Sequence, residues 1–232
     1  FKKHPLSIKK TEVIPLIIAG LIFAFSSLLL FASYNYMAAG LASTILFVYP
    51  VMVAVIMAAF FKEKLTPVTT FSIILSLIGI ALLHKSEDGH AISISGVVLV
   101  LLSALSYAIY IVGVNKSRLK ELSTEKLTLY VILFGLSVFF VRLKFGINLQ
   151  PLQSVSAIAN ALAIAILPTV ISLICTAKAI HYVGATPTAI LGALEPVTAV
   201  FFGTVIFHEP LTARLILGIV VIIAAVTLIV SG

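Results

Sequence analysis

The chain is short of cysteine and of charge. Its single cysteine, Cys175, excludes an internal disulfide and any metal site built from several cysteines. Only 10% of the 232 residues are charged, whereas 61% are hydrophobic, and the mean hydropathy is +1.24. So little charge excludes water as the main solvent. The sequence therefore predicts an integral membrane protein, surrounded by the lipid bilayer and with little room for a soluble domain.

Two functional signatures are also missing. No P-loop or other nucleotide motif occurs, so any driving force would be a gradient, and no cofactor is predicted. The formal charge of +7 does not indicate nucleic-acid binding. The Lys and Arg residues stand in short clusters between apolar runs, and they form no basic face interleaved with aromatic residues.

Apolar stretches long enough to cross about 30 Å of hydrocarbon recur along the whole chain. They predict eight transmembrane helices joined by short connections, which we name spans A to H. The predicted spans are A, 13–33; B, 39–61; C, 67–84; D, 94–114; E, 127–145; F, 157–177; G, 186–207; and H, 213–231.

The positions of the basic residues predict how the chain is oriented. Most of the 15 Lys and Arg residues fall in alternate connections, which the positive-inside rule assigns to the cytoplasm. Arg142 and Lys144 are a basic pair on the opposite side. Span A then runs outward and, after eight crossings, the C-terminus is cytoplasmic. We predict a multi-pass protein of the cell membrane, either plasma or inner.

The sequence repeats itself internally. When Pro50 is aligned with Pro196, the frame continues without a gap until Thr66 meets Thr212. Spans A, B and C thus repeat as F, G and H, whereas D and E have no counterpart before A. We therefore expect an incomplete first repeat of three helices and a second repeat of five, within a complete protein of ten helices.

The repeats predict two domains, residues 1–86 and residues 87–232. Five helices per repeat is an odd number, so the two halves enter the membrane in opposite senses. The predicted fold is an all-α inverted-repeat helical bundle. Such repeats are common among secondary transporters, in which the substrate site lies near the midplane where the halves meet. The step from repeat to transport is an analogy at the level of the fold.

Three segments resemble a known family. AGLASTILFVYPVMVAVIMAAFFKEKLTPVTTFSIILSLIGIALL and GATPTAILGALEPVTAVFFGTVIFHEPLTARLILGIVVIIAAVTLIV are similar to the paired EamA domains of the drug/metabolite transporter superfamily. GVVLVLLSALSYAIYIVGVNK resembles the opening helix of such a domain. The resemblance implies ten helices around a central cavity, often in an exporter. This chain departs from the pattern by lacking the first two helices, which in the family also line the cavity.

Glu195 is the clearest candidate for a functional residue. An ionised group at mid-membrane costs about 2.5 to 3.5 kcal/mol, so it should face protein or a watery cavity. Pro196 cannot donate to the carbonyl of Gly192, which predicts a kink and a free acceptor beside the carboxyl group. We interpret Glu195 as a group that binds a cationic part of the substrate or titrates during transport. The alternative is a protonated or hydrogen-bonded glutamate that ties span G to its neighbour.

The first repeat has Tyr49 before Pro50, where the second has Glu195 before Pro196, so a site here would be asymmetric, and Pro50 predicts a second kink. Further candidates are hydroxyl side chains that could line the cavity. They are Thr188 and Thr198 on span G; Ser103, Ser106, Tyr107 and Tyr110 on span D; Thr169 and Ser172 on span F; and Tyr34 on span A. For the serines and threonines, hydrogen bonding between packed helices is the alternative.

We weigh three classes of function. The first is a secondary transporter, an exporter that moves a small polar or amphipathic metabolite, such as an amino acid, by alternating access. Its partners would be that small molecule and, if transport is coupled, protons. A channel or non-transporting scaffold would leave Glu195 dispensable. An integral-membrane enzyme would need converging catalytic groups, but only one mid-membrane acid is present, with no histidine, aspartate or metal partner. We therefore predict that the chain is not an enzyme.

Overall fold

A computed structural model describes residues 7–37, 39–83, 93–147, 151, 154–192, 194–207 and 212–231. Within these ranges the chain is helical and contains no β-strand. The α-helices are α1 Lys10–Ser33, α2 Ala39–Leu46, α3 Tyr49–Phe61, α4 Pro67–Leu83, α5 Ile94–Lys116, α6 Thr124–Arg142, α7 Val155–Ile164, α8 Ser172–Val183, α9 Ala185–Leu191, α10 Leu194–Phe207 and α11 Ala213–Ser231. A 3-10 turn, Arg118–Glu121, precedes α6, and a π-helical segment, Ala165–Ile171, joins α7 to α8.

Four helical stretches of the described chain are long and apolar enough to cross a bilayer. They are Lys10–Ser33, Ile94–Lys116, Thr124–Arg142 and Val155–Val183. Helices span a membrane because they satisfy their own backbone hydrogen bonds, whereas open strands and loops do not. The predicted all-α membrane fold is confirmed.

Spans B and G are not the continuous, kinked helices that the sequence predicted. Span B divides into α2 and α3 at Phe47 and Val48, and span G divides into α9 and α10 after Leu191. Pro50 and Pro196 lie in the first turn of α3 and of α10. The first turn of a helix has backbone N–H groups with no intrahelical partner, so a proline is tolerated there. The prolines therefore mark the starts of new helices within these two spans.

Span F also differs from the prediction. Its helical stretch is longer than predicted and is not divided. Helix α7, the π-helical segment and α8 form one stretch, Val155–Val183. The wide π turn surrounds Pro168, which has no N–H to donate. The hydroxyl of Thr169 donates to the carbonyl oxygen of Ile164 at 3.2 Å. The span absorbs its proline by local unwinding.

The helices group into two compact units. The first comprises Phe1–Phe25 and Gly113–Gly184, and the second comprises Ser26–Val112 and Ala185–Gly232. Each unit takes residues from both predicted repeats, so this grouping does not follow the repeat boundary. The division into residues 1–86 and 87–232 stays a prediction.

In the first unit α6 packs against α8 and against the first half of α1. A Cβ on Gly20 would lie 2.8 Å from both the Val131 carbonyl oxygen and the Phe134 Cβ, so only glycine permits this approach. At the start of both helices, Lys126 Nζ donates to Glu12 Oε2 at 2.5 Å, and the two side chains are 8% and 12% exposed. This ion pair joins the starts of α1 and α6, which the orientation predicted from the basic residues places on the same side of the membrane.

In the second unit α4 packs along α11 in antiparallel fashion. Arg214, at the start of α11, donates to the carbonyl of Ala81 near the end of α4, at 3.2 Å. Farther along the pair, a Cβ on Gly79 would lie 3.1 Å from the Gly218 carbonyl oxygen. Spans C and H, which correspond in the sequence repeat, therefore run in opposite directions.

Helices α3 and α9, from spans B and G, are also antiparallel. Just after the end of α3, Glu63 Oε1 accepts a hydrogen bond from the Thr186 hydroxyl at the start of α9, at 3.3 Å. Between them Ala54, Ile73 and Ile190 form a buried apolar cluster that also includes α4. In the second unit, span B thus contacts span G through α3 and α9, and span C contacts span H through α4 and α11.

A reciprocal serine pair joins α1 to α5. The Ser26 hydroxyl donates to the carbonyl of Ser103 at 3.0 Å, and the Ser103 hydroxyl donates to the carbonyl of Ser26 at 2.8 Å. Ser103 is fully buried. Small polar residues allow close helix approach in membranes and form hydrogen bonds between helices. The structure therefore places Ser103 in a helix contact.

We expect Ser103→Ala to lower the free energy of unfolding by about 1 kcal/mol, because a buried interhelical hydrogen bond is lost. The thermal midpoint of the purified protein in detergent measures this effect. Ser106→Ala is the matched control, since the Ser106 hydroxyl donates to a carbonyl oxygen of its own helix, that of Leu102, at 2.9 Å. Equal midpoints for the two variants would contradict the assigned contact.

Candidate functional site

Three tyrosines meet in the second unit, at the point where span B is divided. Tyr49 begins α3, and Tyr107 and Tyr110 lie one turn apart on α5. The ring centroids of Tyr49 and Tyr107 are 5.0 Å apart in an edge-to-face arrangement, and Tyr107 stacks on Tyr110 at 6.2 Å. Tyr49 and Tyr110 are 3% and 2% exposed. Geometries of this kind suit the quadrupoles of aromatic rings.

Tyr49 reaches the division of span G. Its hydroxyl group lies against Gly192, in the space that a Cβ on that residue would occupy. The Ala189 carbonyl oxygen is 3.0 Å from the same position. The start of α3 thus packs closely against the end of α9, because Gly192 has no side chain and leaves room for the Tyr49 hydroxyl. Sequence reasoning did not single out Gly192 as a contact of Tyr49. The signal available was a glycine three residues before the glutamate in GALEPVTA.

Glu195 lies in the first turn of α10. Its side chain is exposed, and Tyr49 interacts electrostatically with it and with Tyr107. The free N–H groups and the dipole at a helix N-terminus stabilise a nearby carboxylate. The division of span G therefore gives Glu195 a favourable backbone environment that a continuous helix would not supply.

The prediction that the Gly192 carbonyl group is a free acceptor is wrong. The Glu195 N–H donates to the Gly192 carbonyl oxygen at 2.9 Å, which closes the turn between α9 and α10. The Thr198 hydroxyl in turn donates to the Glu195 carbonyl oxygen at 2.7 Å. The backbone groups next to Pro196 are paired by local bonds, so the carboxyl group is the feature left for a ligand.

No basic residue pairs with Glu195 in the part of the chain that the structure describes. Nor does that part contain a group of three or more His, Cys, Asp or Glu residues able to hold a metal ion. The chemical content of the site is one exposed carboxyl group, in the turn that the Tyr49 hydroxyl contacts, and the aromatic cluster to which Tyr49 belongs.

The remaining candidates have different positions and contacts. Thr188 is buried in α9, and because α9 ends before α10 begins, it does not lie on the same helix as Glu195. Tyr34 is exposed and packs edge-to-face on Phe31, with centroids 5.9 Å apart. Thr169 and Ser172 belong to the first unit. Ser103 and Ser106 make the helix bonds described above.

The sequence matches the EamA-like transporter family over residues 1–84 and 94–231. It is 26% identical to the uncharacterized transporter YvbV of Bacillus subtilis (strain 168), over 97% of this chain and 74% of YvbV. It is 27% identical to the uncharacterized transporter YdfC of the same organism, over 88% of this chain and 66% of YdfC. The family resemblance drawn from the sequence is confirmed.

A third relative and a solved structure are also similar to this chain. An uncharacterized transporter of Archaeoglobus fulgidus is 25% identical over 79% of this chain and 64% of its own length, so the chain spans about two thirds of it and of YdfC. One crystal structure, 15% identical in sequence, superposes with a TM-score of 0.79 and covers 97% of this chain and 76% of that one. At that identity the likeness shows the fold alone.

We expect Gly192→Ala to destabilise the protein by about 1 to 3 kcal/mol, because the added methyl group overlaps the Tyr49 hydroxyl. Removing that hydroxyl with Tyr49→Phe should recover part of the loss. Thermal midpoints of the two single variants and the double variant give the coupling between the positions.

Gly113→Ala is the control for this cycle, since nothing lies within 4 Å of the position that a Cβ would take there. We expect it to leave the midpoint unchanged or slightly raised, because alanine favours a helix. Purely additive effects of Gly192→Ala and Tyr49→Phe would show that the two residues do not touch.

Proposed function

We propose that this chain, which belongs to the EamA-like transporter family, is a secondary transporter that exports a small polar or amphipathic metabolite, with its substrate site at Glu195 and the three tyrosines. The observation that carries the proposal is the meeting of two divided helices at this cluster. Discontinuous helices whose ends meet near the midplane are a recurring way to build a substrate site in transporters.

The cluster draws on both predicted repeats. Tyr49 comes from the first repeat, and Tyr107, Tyr110 and Glu195 come from the second. The antiparallel pairs α3 with α9 and α4 with α11 support an inverted arrangement of the repeats. In such an arrangement the halves can rock about a fixed site and open it to one side at a time. We propose alternating access on this basis.

The proposed mechanism assigns a role to the divisions themselves. A division joins two rigid half-helices through a short turn, so that one half can tilt with only a few backbone angles changing. The turn between α9 and α10 carries Glu195 directly, and the start of α3 carries Tyr49. Tilting either half would alter the distance between the carboxyl group and the phenol rings, which is the change that releases a bound solute.

Energy would come from a gradient, because no nucleotide motif accompanies the site. Proton coupling through Glu195 would make this carboxyl group the one that exchanges protons with the cavity. In the alternative, facilitated export, Glu195 would bind the solute without exchanging protons. The two versions differ in whether a pH gradient drives accumulation.

We further propose that the protein lies in the cell membrane with its C-terminus in the cytoplasm. The distribution of basic residues in the sequence supports this orientation. Two contacts support it as well, because each joins segments that this orientation assigns to the cytoplasmic side. They are the ion pair between Glu12 and Lys126 and the 3.1 Å contact of His181 Nδ1 with the Lys120 carbonyl oxygen.

Transport of a solute panel into proteoliposomes, with Glu195→Gln as the variant, tests the proposal. We expect the substitution to reduce flux by about tenfold or more, which corresponds to about 1.4 kcal/mol, because the amide keeps the shape of the carboxyl group and loses its charge. A parallel series in which the pH gradient is varied separates proton coupling from facilitated transport.

Glu125→Gln is the matched control, since Glu125 is an exposed carboxyl group at the start of α6 and belongs to the first unit. Its flux should equal that of the unmodified protein. Normal flux for Glu195→Gln at every pH would remove Glu195 from the mechanism. Flux that does not saturate and does not distinguish solutes would indicate a channel.

A further inference from the structure

We propose that the first unit binds the headgroup phosphate of an anionic phospholipid at the place where α5 and α8 end and α6 begins. The basic side chains that hold the phosphate are Arg118, Lys120 and Lys178. The site consists of residues 113–184 alone, which all belong to that unit. It does not depend on the transport activity proposed above.

This end of the unit lies at the surface of the hydrocarbon layer. Three stretches that are long and apolar enough to cross a bilayer end or begin there, namely Ile94–Lys116, Thr124–Arg142 and Val155–Val183. Tyr182, in the last turn of α8, is 80% exposed. An exposed tyrosine at the end of a membrane helix is typical of the headgroup region. The turn before α6 and the end of α8 are therefore at the depth of lipid phosphates.

Positive charge is in excess at this end. Four basic side chains are exposed there, and they are Lys116, Arg118, Lys120 and Lys178. Two exposed carboxyl groups accompany them, those of Glu121 and Glu125. In the part of the chain that the structure describes, Arg118, Lys120 and Lys178 form no ion pair. These three cations are therefore available to an anionic ligand, and clusters of this kind next to membrane helices attract anionic lipids.

The turn before α6 presents two of these cations in a defined conformation. Arg118–Glu121 is a 3-10 turn, and the Ser117 hydroxyl caps it by accepting a hydrogen bond from the Leu119 N–H at 3.2 Å. Leu119 is 3% exposed, whereas Arg118 and Lys120 on either side of it are exposed. The buried leucine anchors the turn, so less backbone freedom is lost when a ligand binds.

Helix α8 holds the same turn and supplies the third cation. His181 Nδ1 lies 3.1 Å from the Lys120 carbonyl oxygen, and the Asn115 amide donates to the Ile180 carbonyl oxygen at 3.5 Å. Lys178 precedes His181 by three residues, so the two side chains lie on one face of α8. This face meets the turn, and it thereby brings Lys178 toward Lys120 from a segment distant in sequence.

A small pocket between the turn and α8 favours a lipid over a soluble anion. Lys120, Thr124 and His181 line it together with apolar residues that include Leu122 and Ile180. At the mouth of the pocket, the phosphate of a lipid meets the basic side chains while its glycerol and acyl portions cover the apolar residues. A free phosphate ion would leave those residues exposed to water, without the gain from apolar burial.

Native mass spectrometry of the purified chain in detergent tests the inference. The chain is titrated with phosphatidylglycerol and with phosphatidylcholine of the same acyl chains. Both lipids contain a phosphate, but only phosphatidylglycerol has a net negative charge. We expect one phosphatidylglycerol to bind about tenfold more tightly than phosphatidylcholine. Inorganic phosphate is the third probe, and we expect that it does not displace phosphatidylglycerol.

Paired variants separate this site from the general effect of charge. Lys120→Gln combined with Lys178→Gln should weaken phosphatidylglycerol binding by about thirtyfold, at about fivefold for each basic residue. Lys120→Arg with Lys178→Arg keeps both charges and should retain the affinity. The matched control is Arg142→Gln with Lys144→Gln, which removes two exposed basic residues at the other end of α6. This control should bind as the unmodified protein does.

Three results would overturn the inference. Equal affinity for the two lipids would show that the headgroup charge is not recognised. An equal loss in the control pair would show that binding follows total charge and has no defined site. Displacement by inorganic phosphate would assign the cations to a soluble anion. None of these measurements uses flux, so they are independent of whether the chain transports a solute.

Discussion

Inside hydrocarbon, every backbone N–H and C=O group must find a partner within the protein, and this constraint governs where the chain can be interrupted. Two spans are interrupted here, and each interruption is closed by local bonds. In span B the Val48 N–H donates to the Ile45 carbonyl oxygen at 3.1 Å, and in span G the Glu195 N–H donates to the Gly192 carbonyl oxygen at 2.9 Å. A proline follows each closure, in the first turn of the next helix. Backbone N–H groups in a first turn have no intrahelical acceptor, so a proline there breaks no hydrogen bond. The divided helices are therefore compatible with the membrane at little energetic cost.

This arrangement determines where a charge can be carried. In the middle of a continuous apolar helix, a glutamate would have only side chains to stabilise it. In the first turn of α10, it also has the N-terminal N–H groups and the helix dipole. The turn before it must be compact, because the Tyr49 hydroxyl occupies the space next to Gly192. One division thus places a carboxyl group, and the other places the phenol whose hydroxyl packs against the turn before it. The chemistry of the site follows from the way in which the backbone is closed.

The sequence predicted the all-α membrane fold and the presence of helix in each apolar run, because long apolar runs are a property of composition and order. The starts of α4, α5 and α11 were predicted to the residue, at Pro67, Ile94 and Ala213. The divisions were missed because a proline after an apolar run is compatible with a kink as well as with a new helix. The Ser26 and Ser103 pair could not be assigned, since it depends on the relative rotation of two helices distant in sequence. Glu195 and the tyrosines were singled out by chemistry alone, whereas their proximity is a property of the packing.

The comparison of the two divisions separates architecture from chemistry. Both repeats place a proline in the first turn of a half-helix, so this feature belongs to the shared construction of the fold. The residue before the proline differs, with a phenol in one half and a carboxyl group in the other. If both positions were glutamates, two like charges would face each other across the junction and repel. If both were tyrosines, the site would contain no charge. With one of each, the Tyr49 hydroxyl packs against Gly192 and a single carboxyl group stands in the turn that follows, so the asymmetry of the two divisions is what gives the proposed site its chemistry.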